Sequence, residues 1–244
     1  VGKPAYEVVR GIPDHTCGIN LILDALVDPE HGVLENITEI AAVGHRVVHG
    51  GEYFKQSALI NKEVKQKIEA CFDLAPLHNP ANLKGILAIE HVLPGTPQVA
   101  VFDTSFHQTM PPKSFMYALP YKYYEDYKVR RYGFHGTSHR YVAEKACELF
   151  DVDLKHSKIV TCHVGSGASV TAILNGESYD TSMGFTPVDG LIMGTRCGST
   201  DPGALIYIAE KEGLNLNRLS VLINKESGML GVTGVSSDMR DIRA

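Results

Sequence analysis

The chain has 244 residues and a mass of 26.6 kDa, enough for one or two domains with a proper buried core and no need of covalent staples. Lys and Arg total 23 against 28 Asp and Glu, and the net charge of −5 argues against a general nucleic-acid or anionic-membrane binder, which needs a basic field. With 44% apolar and 21% charged residues the composition is that of an ordinary globule, and no run approaches the roughly 18 apolar residues of a membrane span.

The opening Val1-Gly2-Lys3-Pro4-Ala5-Tyr6 lacks both a Met and the apolar centre of a signal peptide, and the end at Arg243-Ala244 carries no obvious stop, so a piece of a longer protein is expected. Residues 18–26 and 62–72 space their apolar positions as helices do, and 81–92 follow the Asn79-Pro80 start signal. Between them, 39–43 with Val47-Val48, and then 97–102, read as strands, the second ending in the polar Asp103-Thr104-Ser105. Residues 110–132, rich in Tyr, Pro and Lys, read as an irregular crossing. Thr137-Ser138 are expected to cap a helix over 140–150 with Val142, Ala143, Ala146, Cys147 and Phe150 on its apolar face. A strand over 158–164, a glycine turn at 165–167, a strand over 169–174 and helices over 202–212 and 216–225 complete an α/β chain with a break near residue 105. The five cysteines are scattered without a C-x-x-C, which fits reduced thiols of a cytosolic protein, each a small buried hydrophobe.

No common nucleotide or zinc signature is present: there is no G-x-x-x-x-G-K-[ST], no G-x-G-x-x-G, no H-E-x-x-H and no G-x-S-x-G. The segment His163-Val164-Gly165-Ser166-Gly167 is the best phosphate-loop candidate, because glycines let backbone amides approach an anion; a plain hairpin turn reads equally from this segment alone. Arg46 and Arg196 stand among Gly and short polar residues, the setting of a bidentate oxyanion clamp or of a structural ion pair. His45/His49, His135/His139 and Asp103/His107 recur at a spacing of four, which on a helix would suit a metal, although His45/His49 lie in a strand-like run where they would stand about 13 Å apart. His135 precedes a helix start, where a donor to an anion is well placed. Asp103 ends a strand, as a metal or water orienter does in an α/β sheet, and Asp238 reads as a helix-capping carboxylate.

Taken together, GHRVVHGGE (44–52), APLHNPANL (75–83), VFDTSFHQTMP (101–111), RRYGFHGTSH (130–139), HVGSGAS (163–169), MGFTPVDGLIMGTRCGSTDPG (183–203) and KESGMLGVTGVSSDMRDI (225–242) closely resemble the acetate kinases, with propionate kinases as near relatives. The resemblance implies an α/β fold of the acetate and sugar kinase/Hsp70/actin type, two ribonuclease-H-like domains with a cleft between them. Residues 1–105 would form part of the first domain and 106–244 part of the second. It implies ATP as co-substrate, Mg2+ (or Mn2+) as cofactor, reversible phosphorylation of acetate, and a cytoplasmic homodimer that binds neither nucleic acid nor membrane. Carried over position by position, Asp103 matches the catalytic aspartate, His135 and Arg196 the groups that stabilise the transferring phosphoryl, and Arg46 the holder of the carboxylate. Val48, Leu77, Phe134 and Pro187 match the pocket for the acetate methyl. His163, Val164, Gly165, Ser166 and Gly167 match the phosphate loop, and Asp238, Met239 and Arg240 part of the nucleoside pocket. The family's opening Asn-x-Gly-Ser-Ser-Ser turn, later adenosine loop and magnesium-binding glutamate have no counterpart in this sequence, so no metal ligand is assigned within it. Ser166 stands where Asn is usual, and Cys197-Gly198-Ser199-Thr200 where Ser-Gly-Asp-Ile is usual; both departures spare the arginines and imply altered nucleotide affinity rather than lost chemistry. Competing readings are a propionate kinase, a noncatalytic piece of the same fold that binds anions, and a metal-dependent hydrolase built on the histidine pairs.

Overall fold

The computed structural model describes residues 7–243, and the chain divides into two compact units between Phe102 and Asp103. The readings that rest on Val1–Tyr6 and Ala244 lie outside the described residues.

In the first unit, α1 (His15–Leu26), β1 (Val43–Val47), β2 (Ala58–Leu59), α2 (Lys62–Ala70), α3 (Asn79–Val92) and β3 (Gln98–Phe102) follow one another. The sheet order is β1-β3-β2, with β1 parallel and β2 antiparallel to the central β3, and the register runs from Val43 opposite Gln98 to Val47 opposite Phe102. Because β3 is central, its side chains alternate toward a core of Val47, Phe54, Val64, Ile68, Ile86, Ala100 and Phe102, drawn from the sheet and from α2 and α3. The Phe54 and Phe102 rings stack there at 4.0 Å. A second cluster, Leu23, Ile89 and Leu93, joins α1 to α3. The strand expected over 39–43 is corrected. Residues Ile37–Glu39 form a 3-10 turn closed by a capping box, in which the Asn36 side chain accepts from Thr38 N–H and Glu39 accepts from Asn36 N–H, so β1 starts only at Val43. Helix α1 begins at His15 rather than 18 because Asp14 caps it, accepting from Cys17 N–H at 2.8 Å.

In the second unit, α4 (Pro112–Phe115) and α5 (Lys122–Tyr127) lie in the stretch read as irregular. Then come α6 (Gly136–Phe150), β4 (Lys158–Val164), β5 (Ala168–Leu174), β6 (Glu177–Thr181), α7 (Pro202–Glu212), α8 (Leu216–Lys225), α9 (Gly228–Thr233) and α10 (Met239–Arg243). β4, β5 and β6 form an antiparallel sheet in that order, with Thr161 opposite Thr171 and His163 opposite Ser169. Helix α6 starts at Gly136, before the expected Thr137-Ser138 cap: His135 holds the cap position with φ +59°, and Ser138 is a helical residue whose hydroxyl bonds His163 Nδ1 instead. Its expected apolar face is also corrected. Ala143 and Cys147 are buried, but Val142 and Phe150 are exposed, and His139 takes their place inside. All five cysteines are free thiols; Cys71 and Cys147 are buried as expected, whereas Cys162 on β4 is exposed. Burial pushes the Cys71 thiol up to about 11, so it is inert. Among the described residues, no helix is long and apolar enough to cross a membrane.

Candidate active site

The second unit gathers most of the candidate residues around the turn between β4 and β5. The turn closes on itself, Gly165 N–H donating to Gly167 C=O at 2.9 Å, and the Ser166 carbonyl accepts from Gly194 N–H at 3.1 Å. That second bond ties the turn to the loop carrying Arg196. A Cβ at Gly167 would sit 2.8 Å from Arg196 Nη2 and 3.4 Å from His135 Cε1. Glycine is therefore required by close approach, and guanidinium, imidazole and glycine backbone meet at one place. Arg196 is oriented by its Nη1, which donates to Pro187 C=O at 2.7 Å. Half-burial lowers its pKa by desolvation, but a guanidinium stays charged at neutral pH. The Arg196 loop is itself pinned: Cys197 N–H donates to Ile223 C=O, Ser227 N–H to Thr195 C=O, and Met229 N–H to Met193 C=O.

His135 stands at the left-handed cap of α6, its ring stacked on His163 at 3.9 Å and its Nδ1 hydrogen-bonded to Ser169 Oγ at 2.8 Å. One turn on, His139 lies buried with Nδ1 on Thr161 Oγ1 and Nε2 on Ser169 Oγ, each at 2.7 Å. His107 uses Nε2 to donate to Phe134 C=O at 2.9 Å, and its Nδ1 bonds Ser178 Oγ at 2.7 Å. A carbonyl only accepts, so His107 is the Nε2–H tautomer and Ser178 donates to its Nδ1. Desolvation drives both His107 and His139 down to about 4, and both are neutral at pH 7. With every ring nitrogen of these two histidines committed to a hydroxyl or a carbonyl, the spaced pairs do not converge on one ligand position. Among the described residues no group of three or more His, Cys, Asp or Glu is arranged to hold a metal ion.

Asp103, 5% exposed, follows β3 directly, and its backbone carbonyl accepts from Gly136 N–H at 2.9 Å. A Cβ on Gly136 would lie 2.5 Å from that oxygen, so the start of α6 and Asp103 are held in contact by a glycine. A single buried carboxylate is the kind of group that would orient a hard cation such as Mg2+, which needs few protein ligands. Phe134, 2% exposed, lies between Gly133 and His135 with its carbonyl fixed by His107. Asp238 caps α10 by accepting from Arg240 N–H at 2.8 Å, and the Arg240 side chain holds its carboxyl down to about 2. The neighbouring Ser237 carbonyl would lie 3.3 Å from a Cβ on Gly194, which places this capping turn beside the glycine-turn loop. Met239 is exposed on α10, and Val164 on β4.

Arg46, Val48 and Leu77 belong to the first unit. Arg46 is an exposed residue of β1, Val48 is buried, and Leu77 is 71% exposed. Val48 N–H donates to Asn82 Oδ1 at 3.1 Å, while His49 is gripped on both backbone sides by Asn79, so the first turn of α3 fixes the backbone just beyond Arg46. Burial drives His49 down to about 3. Sequence reasoning missed Ser169 and Thr161 as partners of the histidines, although the signal was present in the hydroxyls at alternate strand positions; His139 is the buried, hydrogen-bonded histidine that is the plain alternative to a metal ligand at each of these pairs.

Residues 2–244 match the acetokinase family. The acetate kinase of Phocaeicola vulgatus is 60% identical over 235 residues, which is 96% of this chain and 59% of that protein. A crystal structure of Porphyromonas gingivalis acetate kinase superposes with a TM-score of 0.92 at 55% identity, covering 96% of this chain and 59% of that one. A propionate kinase from Francisella tularensis gives 0.87 at 45% identity, covering 93% and 57%. This chain thus spans about three fifths of the relatives it matches and shares their mixed α/β fold of the acetate and sugar kinase/Hsp70/actin type. With a match to the family along nearly its whole length, and relatives about 60% identical, the chain belongs to the acetokinase family.

Proposed function

We propose that this chain carries phosphoryl-transfer groups of an acetate kinase, which phosphorylates acetate reversibly with ATP by direct in-line transfer. The observation that supports this most is the meeting of Arg196 and His135 on Gly167. Acetate, with a carboxyl pKa of about 4–5 like that of Asp or Glu, is already an anion at pH 7, so no general base is needed to make the nucleophile. The difficulty is instead to bring one anion onto another. Preorganised donors answer it: with the turn closed by Gly165 N–H, the amides of Ser166 and Gly167 cradle phosphate oxygens, Arg196 and His135 face the transferring group, and Arg46 takes the carboxylate. Val48, Leu77, Phe134 and Pro187 are read as contacts of the methyl, and Asp238, Met239 and Arg240 as part of the nucleoside site. Asp103 is the carboxylate that would orient Mg2+, and the ion would neutralise charge on the phosphates. The whole protein is read as a cytoplasmic homodimer.

The similarity to a propionate kinase favours a second reading, because one methylene in a pocket changes binding by only about 1–3 kcal/mol. Hydroxylamine trapping of acyl phosphate, with MgATP and either acetate or propionate, tests both. Product from acetate in excess of propionate is expected; the reverse order makes the chain a propionate kinase. No product from a folded sample assigns the chain the role of a noncatalytic, anion-binding piece.

A further inference from the structure

We propose that a directional chain of hydroxyl and imidazole groups, Thr161–His139–Ser169–His135, holds His135 in the tautomer with its proton on Nε2, which makes Ser169 and His139 positioning residues for His135. All three outer members are shut away from water, Ser169 and His139 almost completely and Thr161 nearly so. Their links are short: 2.7 Å from Thr161 to His139, 2.7 Å from His139 to Ser169 and 2.8 Å from Ser169 to His135.

The direction follows from counting protons. Ser169 has one hydroxyl proton and two imidazole nitrogens beside it, so it donates to one ring and accepts from the other. The proton positions of the two rings are therefore locked together. Among the described residues, His139 Nδ1 is the one hydrogen-bond partner of the buried Thr161 hydroxyl, whose proton must go there. Nδ1 of His139 is then an acceptor, and a neutral His139 carries its proton on Nε2. That N–H donates to Ser169, Ser169 donates to His135 Nδ1, and His135 is left with Nε2–H. The reverse direction would strand the buried Thr161 proton without an acceptor, at a cost of about 1–3 kcal/mol. It would also turn a lone pair rather than a donor toward any anion held by the glycine turn.

A second brace acts on the backbone. His107, fixed as its own Nε2–H tautomer by the Phe134 carbonyl, holds the peptide immediately before His135. The backbone ahead of His135 and the proton position on its ring are thus set by different histidines. The use of the His135 Nε2–H as a donor to phosphoryl rests on the function proposed above; the tautomer itself does not.

Long-range proton–nitrogen correlation spectra of the 15N-labelled chain read tautomers directly. Expected are Nε2–H signatures for both His135 and His139 in the wild type, and loss of the single tautomer at His135 in Ser169→Ala. His139→Gln, whose side-chain amide can donate to Ser169 in place of Nε2–H, should keep the wild-type His135 signature. In the trapping assay Ser169→Ala should lower kcat about tenfold, with KM for acetate and ATP within about twofold, as expected of a donor misoriented rather than a contact removed. An Nδ1–H signature for His135 in the wild type overturns the proposal, and so does an unchanged His135 in Ser169→Ala. Should that variant not fold, the wild-type spectrum and His139→Gln still decide. If the wild-type chain forms no acyl phosphate, the functional reading fails while the spectra continue to test the relay.

Discussion

Arg196 reaches the glycine turn with one arm of its guanidinium while the other donates to Pro187, so among the described residues its position is fixed without an acidic partner neutralising it. Replacing it by Ala should lower acyl phosphate formation by about 10³-fold, the scale on which a preorganised cation contributes to phosphoryl transfer. Arg46→Ala should do the same through the acetate carboxylate. Urea midpoints near those of the wild type should show that both variants fold, and unchanged turnover in either would remove that arginine from the site. At this scale the sequence was readable where a residue's chemistry is unusual for its setting. An arginine among glycines and an aspartate ending an apolar strand both announce themselves. Ser169 does not, because a serine in a strand is unremarkable until the hairpin register sets it opposite His163 and beneath His135. Asp238 was readable as a cap from its place before a short helix, and it is one.

Elements were legible where local signals agree with one another. Helix α7 has Asp201 accepting from Gly203 N–H, Pro202 in its first turn and Gly213 at its end in the left-handed region, all visible in order along the chain. β4 shows the opposite case. Its alternation was legible but its sense was not: Thr161 and His163 face α6, while Val160 and Val164 are 66% and 79% exposed. Hydrophobicity alone does not say which alternate set meets α6; the bonds of Thr161 to His139 and of His163 to Ser138 do. β6, with the polar sequence Glu-Ser-Tyr-Asp-Thr, was missed because only pairing with β5 makes it a strand. Gly133 links these elements. It sits at φ +72°, and a Cβ there would meet Thr181 Cγ2 at 2.5 Å and His107 Cδ2 at 2.8 Å. Gly133→Ala should therefore destabilise the chain by roughly 2–4 kcal/mol, the sum of a strained backbone and overpacking. Urea denaturation measures it, and a change below about 0.5 kcal/mol would show that the neighbouring elements yield freely.

At the scale of the whole molecule, three histidines among the described residues are buried neutral: His49 in the first unit, His107 and His139 in the second. Their folded pKa values, about 3, 4 and 4, lie below the unfolded value near 6.5, so the unfolded chain binds more protons as pH falls. Stability is then full above about pH 6.5 and is lost progressively as pH drops toward 4, by roughly 1.4 kcal/mol per pH unit for each such histidine. Half-buried His45 on β1 is also pushed down by desolvation, so both units should weaken as pH falls through this range. Urea midpoints followed by probes in each unit from pH 7.5 to 5 check this, and flat midpoints would contradict it. The left-handed backbone at His135 adds a cost of its own, about 1 kcal/mol, which a glycine in that place would not bear. Endurance and chemistry are therefore expected to pull this position in opposite directions: a population of variants screened only for surviving heat should drift from the imidazole toward glycine, whereas one screened for acyl phosphate formation should not.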